Sequence, residues 1–160
     1  MNRPALSVRN LTVSLREGSG RRTVVDGVSF DLGEGEILAL VGESGCGKTT
    51  YINAISGLVQ PWEGTIEVSG KPVTGPGPDR AMVFQDYALF PHLNVIDNVA
   101  YGLMIRGIDK ATRYRTAQEA LELVALPGLG SRRAGELSGG QRQRVALARA
   151  IVRRPAVFLM

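Results

Sequence analysis

The chain has 160 residues, enough for one domain with a sizeable core. Hydrophobic residues make up 44% and charged residues 21%, ordinary values for a globular protein. No apolar run approaches the roughly 20 residues that span a bilayer, and the first residues lack the apolar stretch of a signal peptide, so a cytoplasmic chain is expected. The net charge is +4, and the single cysteine, Cys46, excludes an internal disulfide and a thiolate zinc cluster.

Residues 6–15 largely alternate apolar and polar side chains, which is strand periodicity. The run 17–20 reads as a turn, 24–32 as a second strand and 65–68 as a short third one, together a half-buried antiparallel set. Ile37, Leu38, Ala39, Leu40 and Val41 form a continuous apolar run bounded by glycine, which predicts a fully buried parallel strand. Residues 81–84 and 156–159 have the same character. The run 74–79, Thr-Gly-Pro-Gly-Pro-Asp, is read as a rigid loop. Residues 86–98 are read as too irregular for a core helix. Tyr114, Ala117, Leu121 and Val124 mark an amphipathic helix over 111–125, ended by Leu126-Pro127-Gly128. Val145, Ala148 and Val152 mark another over 141–153, stopped by Arg154-Pro155.

Gly42-Glu43-Ser44-Gly45-Cys46-Gly47-Lys48-Thr49 fits G-x-x-x-x-G-K-[ST], after a predicted strand and before a helix continuing from Thr50 to Ser56. Glycines let successive N–H groups turn inward toward phosphate oxygens, and the helix N-terminus adds positive potential. Lys48 supplies a mobile charge for the β- and γ-phosphates, and the Thr49 hydroxyl can ligate Mg²⁺. Gly42 to Thr50 is therefore the candidate ATP-binding segment. A glycine-rich turn without ligand is the plainer alternative. Cys46 within it is either a small filler or a reactive thiol favoured by the helix end and the lysine.

A second candidate anion site opens the helix of 141–153. Ser138 and Gln141 have the spacing of a capping box, S-x-x-Q. That does not account for Gly139 and Gly140, each of which costs a helix about 1 kcal/mol relative to alanine. Two adjacent glycines there suit the close approach of a phosphate. Between Arg132 and Arg154 stand seven arginines and one acid, Glu136. A basic stretch can bind nucleic acid or anionic lipid, but no aromatic interleaves these arginines as a stacking platform, so a solvated helix face near a phosphate ligand is expected and no nucleic-acid partner.

Leu137-Ser138-Gly139-Gly140-Gln141-Arg142-Gln143-Arg144 resembles the signature of ABC transporter ATPases, and it follows the phosphate loop in that family's order. Phe84-Gln85 between them resembles the family's Q-loop. The resemblance implies an α/β fold: a P-loop NTPase (RecA-like) core, an N-terminal antiparallel β subdomain and a helical subdomain. Core and β subdomain would occupy about 1–85 and 138–160, the helical subdomain about 90–137. It also implies ATP and Mg²⁺ as cofactors, with Lys48 and Gln85 in catalytic roles, Thr49 and Gln85 toward Mg²⁺, and Ser138, Gly139, Gly140 and Gln141 contacting the ATP of a second subunit in a head-to-tail dimer.

The stretch from Phe84 to Leu93 resembles ATP-binding subunits of bacterial importers. Residues 73–80 are most similar to the nitrate, sulfonate and taurine group; 87–92 are equally similar to polyamine, ferric-iron and sugar importers. The implied partners are membrane permease subunits and, indirectly, a solute-binding protein, with the chain peripheral on the cytoplasmic face of the membrane. Tyr87, Leu89, Phe90, Pro91 and Leu93 would either meet the permease or fill a junction between subdomains. His92 would lie near that contact or in a surface loop.

On the same resemblance, the Walker B aspartate, the general-base glutamate and the switch histidine are expected after Met160, and hydrolysis is expected to need them. Residues 15–24 hold no Phe, Tyr or Trp, so no adenine platform is named. An ABC-type ATPase acting on DNA or the ribosome is one rival reading, although no heptads lie between the two motifs. A non-catalytic binding module is another.

Overall fold

The computed structural model describes residues 3–18 and 20–160. It forms two compact units, one reaching Arg80 and including Leu159, the other holding Ala81–Phe158 and Met160.

In the first unit β1 (Leu6–Glu17), β2 (Gly20–Leu32), β3 (Glu63–Val68) and β4 (Lys71–Pro72) form an antiparallel sheet in the order β2-β1-β3-β4. Leu6, Val8, Leu11 and Val13 are all buried, so the alternation changes phase by one residue between Val8 and Leu11. The register shifts there, and Asn10 takes a left-handed backbone (φ 47°) with its N–H on Ser29 Oγ at 2.7 Å. This bulge explains an alternation that is only approximate in the sequence. The expected turn over 17–20 includes Ser19, which lies outside the described residues.

Helix α1 (Lys48–Ser56) buries Tyr51, Ala54, Ile55 and Ser56, and Gly57 caps it in the left-handed conformation. The Tyr51 ring packs 6.2 Å from that of Phe30 on β2. The 74–79 loop is irregular as expected. Its anchor is the buried Arg80, which donates to the Ser56 carbonyl at 3.1 Å, to the Asp79 carboxylate at 2.8 Å and to the Gly75 carbonyl.

The segment 37–41 departs from expectation. It forms no strand, and Ile37 and Val41 are 96% and 93% exposed. Among the described residues no strand pairs with it. A parallel strand is buried only when neighbours satisfy its backbone groups, and an apolar run cannot form one alone.

The second unit is built on α2 (Val95–Ile105), α3 (Lys110–Leu123) and α4 (Gly139–Ile151). Val95, Val99 and Leu103 of α2, Ala117 and Leu121 of α3, and Val145, Ala148 and Val152 at α4 share one core. The reading of 86–98 as non-helical is corrected at its end: α2 begins at Val95. Asn94 caps it by accepting the Asp97 N–H at 2.8 Å. Helix α3 starts one residue earlier than expected, capped by Asp109, which accepts the Thr112 N–H at 3.0 Å. That hydrogen bond is the main cause holding the Asp109 carboxyl below its ordinary pKa. The strands expected at 81–84 and 156–159 are shorter, β5 (Arg80–Met82) and β6 (Val157–Leu159), and pair with each other. No described helix is long and apolar enough to cross a membrane.

Candidate functional site

The phosphate-loop residues lie together in the first unit. Gly45 and Gly47 are left-handed, with φ of 82° and 96°. A Cβ on Gly47 would stand 2.7 Å from Val24 Cγ1 and 2.9 Å from the Val24 carbonyl oxygen, so both backbone conformation and packing require glycine there. The loop curls back on the first residue of α1. The Lys48 ammonium donates to the carbonyls of Gly42 and Glu43, each at 2.7 Å, and lies 3.4 Å from Cys46 Sγ.

Helix α1 has no side-chain cap at its N-terminus. The first intrahelical bond comes from Tyr51 to the Gly47 carbonyl at 2.9 Å, which leaves the amides of Lys48, Thr49 and Thr50 without a protein acceptor among the described residues. A cation, a helix N-terminus and three amides without acceptors are features that suit an anion at this turn. Ser44, Cys46 and Thr49 are exposed around it. Cys46 is therefore not a buried filler; its sulfur sits within ordinary reach of solvent and of the lysine.

The second candidate anion turn lies in the other unit. Ser138 and Gln141 form the expected capping box, with Ser138 N–H donating to Gln141 Oε1 at 2.8 Å and Gln141 N–H to Ser138 Oγ at 3.3 Å. A Cβ on Gly140 would meet nothing within 4 Å, and one on Gly139 only the Tyr87 hydroxyl at 4.0 Å. Neither glycine has a positive φ. The folded chain itself does not require glycine at either place.

Gln85 is exposed in the loop between β5 and α2. Two residues on, Tyr87 and Ala88 are both left-handed, with φ of 58° and 42°. Such a backbone is costly for residues with a Cβ and persists only where the surroundings impose it. Arg149 of α4 does so, donating to the Ala88 carbonyl at 2.6 Å and the Tyr87 carbonyl at 3.0 Å. Burial, and secondarily Arg153, lowers the pKa of Arg149. Further along, Asn98 holds Phe90 through both backbone groups and also donates to the carbonyls of Leu93 and Asn94.

The role of Arg149 was not legible from the sequence, because its carbonyl partners lie 61 and 62 positions away. Other arginines of the basic stretch have similar work: Arg142 donates to the Leu137 carbonyl at 2.7 Å and Arg144 to that of Ala125 at 3.0 Å. His92 lies exposed at a groove of about 240 Å³ shared with Leu93, Asp97, Tyr101, Met104 and Arg113. In the first unit the exposed Trp62 carries the Arg21 guanidinium 3.7 Å above its ring.

A family profile described as ABC transporter matches residues 25–160. The chain is 44% identical over 155 residues to the taurine import ATP-binding protein TauB of Burkholderia pseudomallei, covering 97% of this chain and 60% of that protein. It is 52% identical over 139 residues to the uncharacterized ABC transporter ATP-binding protein YdcT of Escherichia coli, covering 85% of this chain and 41% of that one. It is 44% identical over 160 residues to the spermidine/putrescine import ATP-binding protein PotA of Thermobifida fusca, covering 98% and 42%. The chain thus spans three-fifths or less of the length of these relatives. Among solved structures it resembles a dimeric bacterial ABC transporter cassette with a TM-score of 0.86 and 28% identity, over 96% of this chain and 72% of that one. A dimeric post-hydrolysis cassette bound to ADP and Pi is equally similar. The fold is that of an ABC ATPase cassette, and the chain belongs to the ABC transporter family.

Proposed function

We propose that this chain is the ATP-binding part of an ABC import system, which couples ATP binding and hydrolysis to solute uptake. The observation that carries this reading is the α1 turn, where Lys48 and three amides without protein acceptors converge. A polyphosphate would take the ammonium from the Gly42 and Glu43 carbonyls and fill the amides. The segment Gly42–Thr50 binds ATP, with Lys48 on the β- and γ-phosphates. Mg²⁺ prefers oxygen ligands, and the exposed Thr49 hydroxyl and Gln85 carboxamide are of that kind.

Ser138, Gly139, Gly140 and Gln141 contact the ATP of a second copy in a head-to-tail dimer. Support comes from the open space beside Gly140, which admits a ligand from outside the chain. The parts divide as core and β subdomain (about 1–85 and 138–160) and helical subdomain (about 90–137). The relatives that are import proteins support a peripheral place on the cytoplasmic face of the membrane, against permease subunits that a solute-binding protein supplies. The groove at His92 is the face offered to the permease, and cysteines at Ala88 or His92 would crosslink to one of its cytoplasmic loops.

Sedimentation with a non-hydrolysable ATP analogue tests the shared site. The chain should dimerise, while Lys48→Ala and Gly140→Asp should each remain monomeric. An equal mixture of the two variants should recover heterodimers, because one site then combines an intact phosphate loop with an intact signature. Normal dimerisation of Gly140→Asp would refute the arrangement.

A further inference from the structure

The strain at Tyr87–Ala88 and the means of holding it lie on different segments of the second unit. The loop carries two successive left-handed residues, neither of them glycine. The turn closes locally through Tyr87 N–H on the Phe84 carbonyl at 2.9 Å and Ala88 N–H on the Asp86 carbonyl at 2.6 Å. What faces the carbonyls of Tyr87 and Ala88 is the Arg149 fork, at 3.0 and 2.6 Å. Its guanidinium carbon also stands 5.7 Å from the centre of the Phe90 ring.

Arg149 sits on the helix whose first turn is Gly139-Gly140-Gln141, within one continuous rigid element. The loop meets that first turn as well: the Tyr87 hydroxyl lies 4.0 Å from where a Gly139 Cβ would be. Helix α4 therefore holds the loop through Arg149, and the Tyr87 side chain of the same loop lies beside the helix N-terminus ten residues earlier. On its far side the loop is fixed to α2, where Asn98 holds Phe90 and the Phe90 and Tyr101 rings stand 4.5 Å apart.

We propose that Arg149 is a positioning residue that binds the Gln85 loop to α4, so that Gln85 and the Ser138-Gly139-Gly140 turn move as one body. A displacement of the helix N-terminus is then passed to the loop through the two carbonyls. A planar fork suits this task, because two parallel donors fix the orientation of the turn as well as its distance. Lysine keeps the charge but is a single point and cannot fix both. The proposal rests on the role given to Gln85 above.

The test compares Arg149→Ala, Arg149→Lys and Gln85→Ala in the full-length ATPase, assayed for turnover and for amide exchange over 84–90. Arg149→Ala should lower kcat by about tenfold or more through misplacement of Gln85, with KM for ATP within about twofold, because the phosphate loop is untouched. Amides of 85–88 should exchange about tenfold faster or more while those of the α2–α4 core keep their protection. Arg149→Lys should recover part of both effects, and it also serves as the test if Arg149→Ala does not fold. A folded Arg149→Ala or Arg149→Lys with wild-type kcat and wild-type exchange, beside a Gln85→Ala that is impaired, would overturn the proposal. If Gln85→Ala is itself unimpaired while loop exchange rises in Arg149→Ala, the clamp stands and the role of Gln85 falls.

Discussion

Asn98 holds Phe90 by both backbone groups, its Oδ1 accepting the Phe90 N–H at 2.8 Å and its Nδ2 donating to the Phe90 carbonyl at 3.1 Å. The side chain is 1% exposed, so no water replaces it when it is removed. Asn98→Ala leaves the Phe90 N–H and the Leu93 carbonyl without their partner and takes one of two donors from the carbonyls of Phe90 and Asn94, and should cost about 2–3 kcal/mol in urea unfolding. A loss below about 0.5 kcal/mol, the range of an ordinary surface change, would mean that the 90–94 loop is not held this way.

Gly140→Ala separates stability from function. The added methyl enters open space on a helical backbone, so α4 should gain up to about 1 kcal/mol. The same methyl occupies the surface offered to a second copy's ATP, so analogue-driven dimerisation should weaken. A variant that is both more stable and equally competent would show that nothing approaches this turn.

Cys46 offers a chemical probe of the same loop. Its thiol is exposed and 3.4 Å from the Lys48 ammonium. A maleimide should label it readily in the free protein and more slowly once Mg-ATP covers the loop. Equal rates with and without nucleotide, in a chain that binds it, would place the nucleotide elsewhere.

Tyr51 gives a pH signature. Its hydroxyl is buried without a hydrogen-bond partner among the described residues, and burial pushes its pKa up to about 12 from 10. The folded state thus favours the neutral phenol. The associated stability is fully present below pH 10 and is lost as pH rises through about 12. Tyr51→Phe should shrink that alkaline loss and leave neutral-pH stability unchanged or raised by up to about 1 kcal/mol, because no bond is broken. An alkaline titration of unfolding identical to wild type would contradict the assignment.

These residues also show how far the sequence could be read. Local chemistry was legible: the capping box of Ser138 and Gln141, the antiparallel strands and the stop of the 111–125 helix near Pro127 each depend on neighbours a few positions away. Ile37–Val41 was misread because strand formation is decided by pairing partners, which an apolar run does not name. Helix α2 was obscured because its cap, Asn94, lies inside a segment whose proline, Pro91, and aromatics mask its start. The Arg149 clamp joins residues more than 60 positions apart and had no local signal at all.

In the proposed function the turn around Lys48 receives the phosphates of ATP. Calorimetric titration of the chain with Mg-ATP, beside Lys48→Ala, tests it most directly. Binding should saturate at one site per chain and be abolished in Lys48→Ala, whose circular dichroism should match wild type. Undiminished binding in Lys48→Ala, or none in a folded wild-type chain, would contradict it.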